Sequence, residues 1–195
     1  MSTYKDSISK YNLDTSSKII AVSTFRTLGS AASPHNLFSI ENGVGSTTVV
    51  AIRQINLAIS QTGVLTALDC QIIVSRPASL PTGGTTLTKV AFDLNQSSNA
   101  SVICRGATAS DGGSATAITA TAGSAMVQDF VGRLDTLVGS TPNPNIDLFN
   151  DAFLILEPII LRANQSLLVQ LVNPTGTNNL ATNHHIINVV WEEIP

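Results

Sequence analysis

"NLFSIENGVGSTTVVAIRQINLAIS", residues 36–60, decides the fold class. Its apolar positions alternate with Ser, Thr, Asn and Gln, the two-residue period of a half-buried strand. "LFSIE" reads as one strand, "NGVGS" as a turn, and "TTVVAIRQINLAIS" as a longer strand. Along the longer strand Val50 and Ile52 share one parity, whereas Ile55, Leu57 and Ile59 share the other. The change falls between Arg53 and Gln54. Successive strand side chains point to opposite faces, so both sets reach one core only if the strand takes an extra residue. A β-bulge is expected there, or a bend from one sheet to another. The apolar residues are expected to build a core and the polar alternates to face water or a partner.

The same period continues downstream. "LDCQIIVSR" places Cys70, Ile72 and Val74 in register, and "TTLTKVAFDL" and "ASVICRG" follow after turn-rich "PASLPTGG" and "NQSSN". Pro77 and Pro81 suit a loop or a sheet edge, because proline cannot donate to a central ladder. In "AFLILEPIILRANQSLLVQLVNP" a strand, the turn "ANQS" and a strand with Leu167, Val169 and Leu171 inward are expected. The closing "HHIINVVWEEIP" aligns Ile187, Val189 and Trp191 on one face. About eight to ten short strands with regular turn signals predict an all-β fold: an antiparallel β-sandwich of jelly-roll type, or a related barrel. No fixed-period repeat suggests a propeller or solenoid.

Two stretches interrupt the pattern. Residues 106–125, "GATASDGGSATAITATAGSA", are nearly all small and fit either a flexible loop or a close-packed excursion at an interface. In "AMVQDFVGRLDTLVG" the spacing of Met126, Phe130, Leu134 and Leu137 or Val138 predicts one short helix or turn. Residues 1–35 are polar with sparse apolar positions, and "KIIAVSTF" has the character of a short strand. They read as a disordered terminus or as an extended arm lying across a neighbouring subunit, and both readings fit. The expected organisation is an arm over 1–35 and one β-sandwich domain over 36–195, with the insert at about 106–125. The arm's aromatic residues Tyr4, Tyr11 and Phe25 are the candidate interface residues.

Composition narrows the function. At 195 residues folding buries roughly 70% of the chain's surface, enough for a core without staples. Only 12% of residues are charged, against about 25% in an average domain. Such a surface can be desolvated against a neighbour without burying ions. The net charge of −3 and ten scattered basic residues, no two adjacent, argue against direct nucleic-acid binding. No apolar run approaches the ~20 residues of a membrane span. "MSTYKDSISKYN" lacks an apolar leader core, so a cytoplasmic product is expected. In that compartment Cys70 and Cys104, without CxxC spacing, read as buried small hydrophobes rather than a disulfide or redox pair. Sequons at Asn95, Asn99 and Asn164 are chance matches in an Asn/Ser-rich chain.

Catalytic motifs are lacking. There is no G-x-S-x-G elbow and only 3 histidines. His184 and His185 are adjacent and point oppositely on a strand, so they cannot ligate one metal from it, and His35 is distant in sequence. Asp69, Glu157, Glu192 and Glu193 supply carboxylates with no framing motif, and alternation leaves at least one of Glu192 and Glu193 solvated. "GTNNLATNHH" and "SDGGSATA" lack the Lys and spacing of a P-loop, and "DLNQSSN" and "NPNIDLFND" lack EF-hand spacing. Trp191, in phase with Ile187 and Val189, reads as core rather than a sugar platform. A non-enzymatic chain without cofactor or metal is expected.

Three segments resemble a known class. "LFSIENGVGSTTVVAIRQINLAIS" resembles the opening of a class of tailed-bacteriophage virion proteins, where a "SI-N-GSG" turn leads into a strand with "V-IR-I". "EPIILRANQSLLVQLVNP" is similar to their "P-I-L-PG-SL-V-L-N" hairpin, with "ANQS" standing where Pro-Gly is expected, and "NVVWEE" matches their close. The matches cover about a third of the chain, in order; the Ala/Thr-rich insert has no counterpart. The resemblance implies a capsid decoration (cement) protein without catalytic residues, acting as a homotrimer on the major capsid protein at the outer surface of a phage head. The alternative is a tail, neck or fibre accessory protein with a receptor- or carbohydrate-binding role.

Overall fold

A computed structural model describes residues 17–26, 35–61, 71–93, 95–107, 118–120, 123, 125–127, 145–147, 158–172 and 183–195. In these residues the chain is all-β and every strand pair is antiparallel. The strands are β1 (Ser17–Arg26), β2 (His35–Asn42), β3 (Val49–Gln61), β4 (Gln71–Ser75), β5 (Thr82–Gly83), β6 (Thr85–Thr86) and β7 (Lys89–Ala91), then β8 (Val102–Gly106), β9 (Ile118–Thr119), β10 (Ala125–Val127), β11 (Asn145–Asp147), β12 (Ile159–Leu161), β13 (Gln165–Val172) and β14 (Asn183–Ile194). One sheet has the order β11-β3-β14-β1-β7, with β12 also on β3. A second has the order β10-β4-β13-β2-β8-β6, and β5 and β9 form a separate ribbon.

The expected bulge is present. Val190 pairs with Gln54 and Trp191 with Ile52, so Arg53 is the extra residue of β3. It restores the parity of the strand: Val50, Ile52, Ile55, Ile187, Val189 and Trp191 are all fully buried. The corresponding face of the second sheet carries Phe38, Ile40, Val102, Cys104, Leu167 and Val169, also fully buried. At about 1.5–3 kcal/mol for each large side chain, these positions dominate the fold's stabilisation. Trp191 belongs to this core.

Three expectations are corrected. The polar alternates of β2 do not face water: Ser39 and Glu41 are buried, as are Ser75 and Ser166 on neighbouring strands. Their sheet is covered on its second face too, in part by β9. Asn36 Nδ2 donates to Ile118 O at 2.7 Å, and a Cβ on Gly84 would meet Ile118 Cγ1 at 2.7 Å. Secondly, β12 and β13 are not a hairpin. β12 pairs with β3 and β13 with β2 and β4, so the turn at 162–164 carries the chain from one sheet to the other. Asn164 takes the left-handed conformation there, φ 62°, the role expected of Gly in Pro-Gly. Thirdly, Ala125–Val127 is strand, not the start of a helix, because pairing with β4 outweighs local periodicity. Residues 128–139, the rest of that expected helix, lie outside the described residues.

Parts of the 106–125 stretch pack tightly within this chain. Ile118 is buried in the ribbon, and a Cβ on Gly123 would collide with the Arg76 carbonyl. The strand expected near "KIIAVSTF" is β1, which lies between β14 and β7.

Candidate functional site

The described polar side chains converge most densely where the turns after β2 and β12, the segment before β8 and the end of β14 meet. Asn42 terminates β2 with its side chain turned inward. Its Nδ2 donates to Thr48 O at 2.7 Å and to Leu161 O at 3.1 Å, joining the second sheet to the first. The Asn164 N–H donates to Asn42 O at 2.8 Å, and the Gly43 N–H donates to Ser101 O at 2.8 Å. Three chain segments, at 48, 161–164 and 101, are thereby fixed around Asn42 and Gly43.

Glu193 is the second centre. It shares a face of β14 with Trp191 two residues earlier, and it is buried beside that ring. Oε1 accepts Trp191 Nε1–H at 3.0 Å and Ser98 Oγ–H at 2.5 Å; Oε2 accepts the Asn99 N–H at 2.6 Å. Three donors compensate the desolvation of a carboxylate that would otherwise not stay buried. Asn99 uses every polar group it has. Its Nδ2 donates to Thr48 Oγ1 at 2.6 Å, its Oδ1 accepts Ser101 N–H at 2.8 Å, and its carbonyl accepts Lys89 Nζ at 2.7 Å. Lys89 Nζ also reaches Val102 O. An open cleft of about 480 Å³ lies over this cluster, lined by Thr48, Ser97, Ser98, Asn99, Ala100, Glu193 and Pro195.

The chemistry available is that of a fastener. Ser98 faces a carboxylate with no imidazole between them, and the carboxylate is already the acceptor of two further donors. The geometry immobilises the loop before β8; it does not activate a nucleophile. Nearby, Cys104 is a free, buried thiol. Burial pushes it well above the ordinary thiol range, opposed by the charge of Lys89, so it stays protonated and inert.

Of the residues singled out from sequence, Tyr4, Tyr11, Cys70, Asp69 and Glu157 lie outside the described residues. Phe25 occupies the next-to-last position of β1, in register with His185. His184 and His185 pair with Ser60 and Ile59, whereas His35 begins β2 in the other sheet, opposite Leu171. Glu192 and Glu193 take opposite faces of β14 as alternation expects: Glu193 is buried, and Glu192, half-buried, bonds to the exposed Arg53 at 2.7 Å. Among the described residues no group of three His, Cys, Asp or Glu could hold a metal, and no helix could cross a membrane. Sequence reasoning missed Asn99, Ser98, Thr48 and Lys89. Asn99 registered only as a sequon, and its side-chain amide is already bonded to Thr48.

Comparison of the chain with protein-family models, with curated proteins and with solved structures finds no match.

Proposed function

We propose that this chain is a non-enzymatic virion structural protein, a capsid decoration protein that binds the outer surface of a phage head. In this reading it bridges neighbouring copies of the major capsid protein and acts as a homotrimer. The observation that carries the reading is the meeting of the three phage-like segments at one end of the molecule. The "NGVGS" turn, the "ANQS" turn and the closing "WEE" are tied together through Asn42, Asn164, Thr48, Asn99 and Glu193. Segments that match a class in order, and also build one hydrogen-bonded unit, support a shared design over chance strand composition.

The finer fold reading belongs with this proposal. If β5, β6, β7, β8, β9 and β11 are set aside, the eight remaining strands in chain order are β1, β2, β3, β4, β10, β12, β13 and β14. Their sheet orders are first-eighth-third-sixth and second-seventh-fourth-fifth. Those orders support reading the fold as a jelly roll, two Greek keys folded into facing sheets. Low surface charge and a scaffold fixed by internal hydrogen bonds suit a protein whose weak contacts add through multivalency on a lattice.

The test is co-sedimentation of the purified chain with undecorated heads from its source, followed by electron microscopy with an antibody against it. Labels over the whole head support decoration. Labels confined to tail, neck or fibre tips would replace it with the accessory reading. His184→Ala with His185→Ala is expected to leave head binding unchanged, and loss of binding in that variant would count against a purely structural role.

A further inference from the structure

β7 lies at the end of its sheet's strand order, and its surroundings carry apolar side chains in the open. Val90 is 52% exposed and Phe92, just beyond the strand, 62%. Position 20 of β1 pairs with Val90 on one side and Val190 on the other, so Val90 and half-buried Val190 lie on one row of the sheet's outer face. Ile186, four residues before Val190 and on the same side of β14, is also exposed. Val90, Phe92 and Val190 make a short apolar strip, bounded on the same face of β14 by Asn188 and Glu192, and exposed apolar surface of this kind marks a contact.

Where β1 begins indicates the occupant. Sixteen residues precede Ser17, and they include Tyr4, Ile8, Tyr11 and Leu13 with charges that cancel, Lys5 and Lys10 against Asp6 and Asp14. The Ser17 end of β1 is also the Phe92 end of β7, since Ile19 pairs with Ala91. Both sides of β1 are taken, by β14 and β7. To lie on its own strip, the segment would have to reverse within residues 14–16. Continuing without reversal, residues 4–13 span roughly 33 Å and reach up to roughly 43 Å from Ser17, more than the diameter of a small domain. We propose that the strip around Val90 and Phe92 receives residues 4–13 of a second copy of this chain. The inference rests on the self-association contained in the reading above, and it identifies the contact.

The full chain carrying p-benzoylphenylalanine in place of Phe92 tests this, irradiated as a mixture of ¹⁵N-labelled and unlabelled protein. The expected result is a dimer-sized product whose cross-linked peptide joins position 92 to residues 1–16 of the oppositely labelled copy. Cross-links confined to one chain, or to a segment other than 1–16, would overturn it. Sedimentation velocity supplies a second readout: Phe92→Lys and deletion of residues 2–16 should each weaken self-association at least tenfold, and unchanged association in both would overturn it as well. Heads that fail to bind a chain still cross-linking in this way would remove the decoration reading and leave this contact standing.

Discussion

Glu193 Oε2 accepts the backbone N–H of Asn99 at 2.6 Å, across 94 residues of chain. The contact ties the last strand of one sheet to the loop that feeds β8 of the other, and the second oxygen is held by Trp191 and Ser98. Glu193→Ala would leave the indole N–H and the Asn99 N–H without partners in a buried setting. A loss of about 3 kcal/mol is expected, and about half that for Glu193→Gln, which keeps one acceptor. Urea unfolding checks it: the midpoint should fall with an unchanged slope. A midpoint within error of the parent would show that the loop is fixed by something else.

Asn99 offers a sharper version of the same test. Asn99→Ala removes the bonds to Thr48 Oγ1 and Ser101 N while keeping the backbone contacts. A double-mutant cycle of Asn99→Ala with Thr48→Val should return a coupling of about 1 kcal/mol. Amide exchange in residues 95–101 should quicken in both single variants. Additive effects with unaltered exchange would deny the pair any role.

Arg53 and Arg105 make ion pairs of very different worth. The Arg53 side chain is 45% exposed, so Arg53→Ala should cost under about 1 kcal/mol despite the 2.7 Å contact with Glu192. Arg105 faces Glu41, whose side chain is only 7% exposed, at 3.3 Å. Arg105→Ala leaves that carboxylate buried and alone, and a loss of about 3 kcal/mol is expected. Deleting Arg53 outright is another matter. It removes the bulge but leaves Val50, Ile52 and Ile55 on one continuous alternation, with Ile52 and Gln54 still opposite Trp191 and Val190, so cooperative thermal unfolding should persist.

That contrast explains what could be seen in advance. The bulge was visible because a parity change between Ile52 and Ile55 is a one-dimensional signal that a strand cannot hide. The core positions followed from the same period, Trp191 included. The burial of Ser39, Glu41 and Ser166 was not visible, because it depends on the ribbon containing Ile118 returning over the sheet from 48 or more residues away. The separation of β12 from β13 was equally hidden: a four-residue turn has the same sequence appearance whether it closes a hairpin or crosses between sheets. The Glu193 cluster needed the fold itself, since its partners Ser98, Asn99 and Thr48 carry no local pattern.

Asn164 sits at φ 62°, where a residue with Cβ is strained by about 1 kcal/mol unless it is Asn or Asp. Asn164→Gly should be neutral or slightly stabilising, whereas Asn164→Ala should cost about 1 kcal/mol and Asn164→Val more. Thermal midpoints in the order Gly ≥ Asn > Ala > Val are expected. An Ala variant as stable as the parent would mean that the turn relaxes out of the left-handed region.

Cys104 makes stability depend on alkaline pH. Its ordinary value is 9.0, and burial raises it in the folded chain, so above pH 9 the unfolded chain releases a proton that the folded chain keeps. The sign follows: this group contributes its full share of stability below about pH 9, and that share falls as pH rises through the window above it, by up to about 1.4 kcal/mol per pH unit. The difference in unfolding free energy between the parent and Cys104→Ala isolates the effect, because every other group is common to both. That difference should be constant from pH 7 to 8.5 and shrink from pH 9 to 10.5. At pH 8 a thiol reagent should modify Cys104 only at the rate of unfolding. Rapid modification of the folded chain, or a difference independent of pH, would show that the thiol is reachable by water and that the end of the sheet at β8 and β6 opens readily.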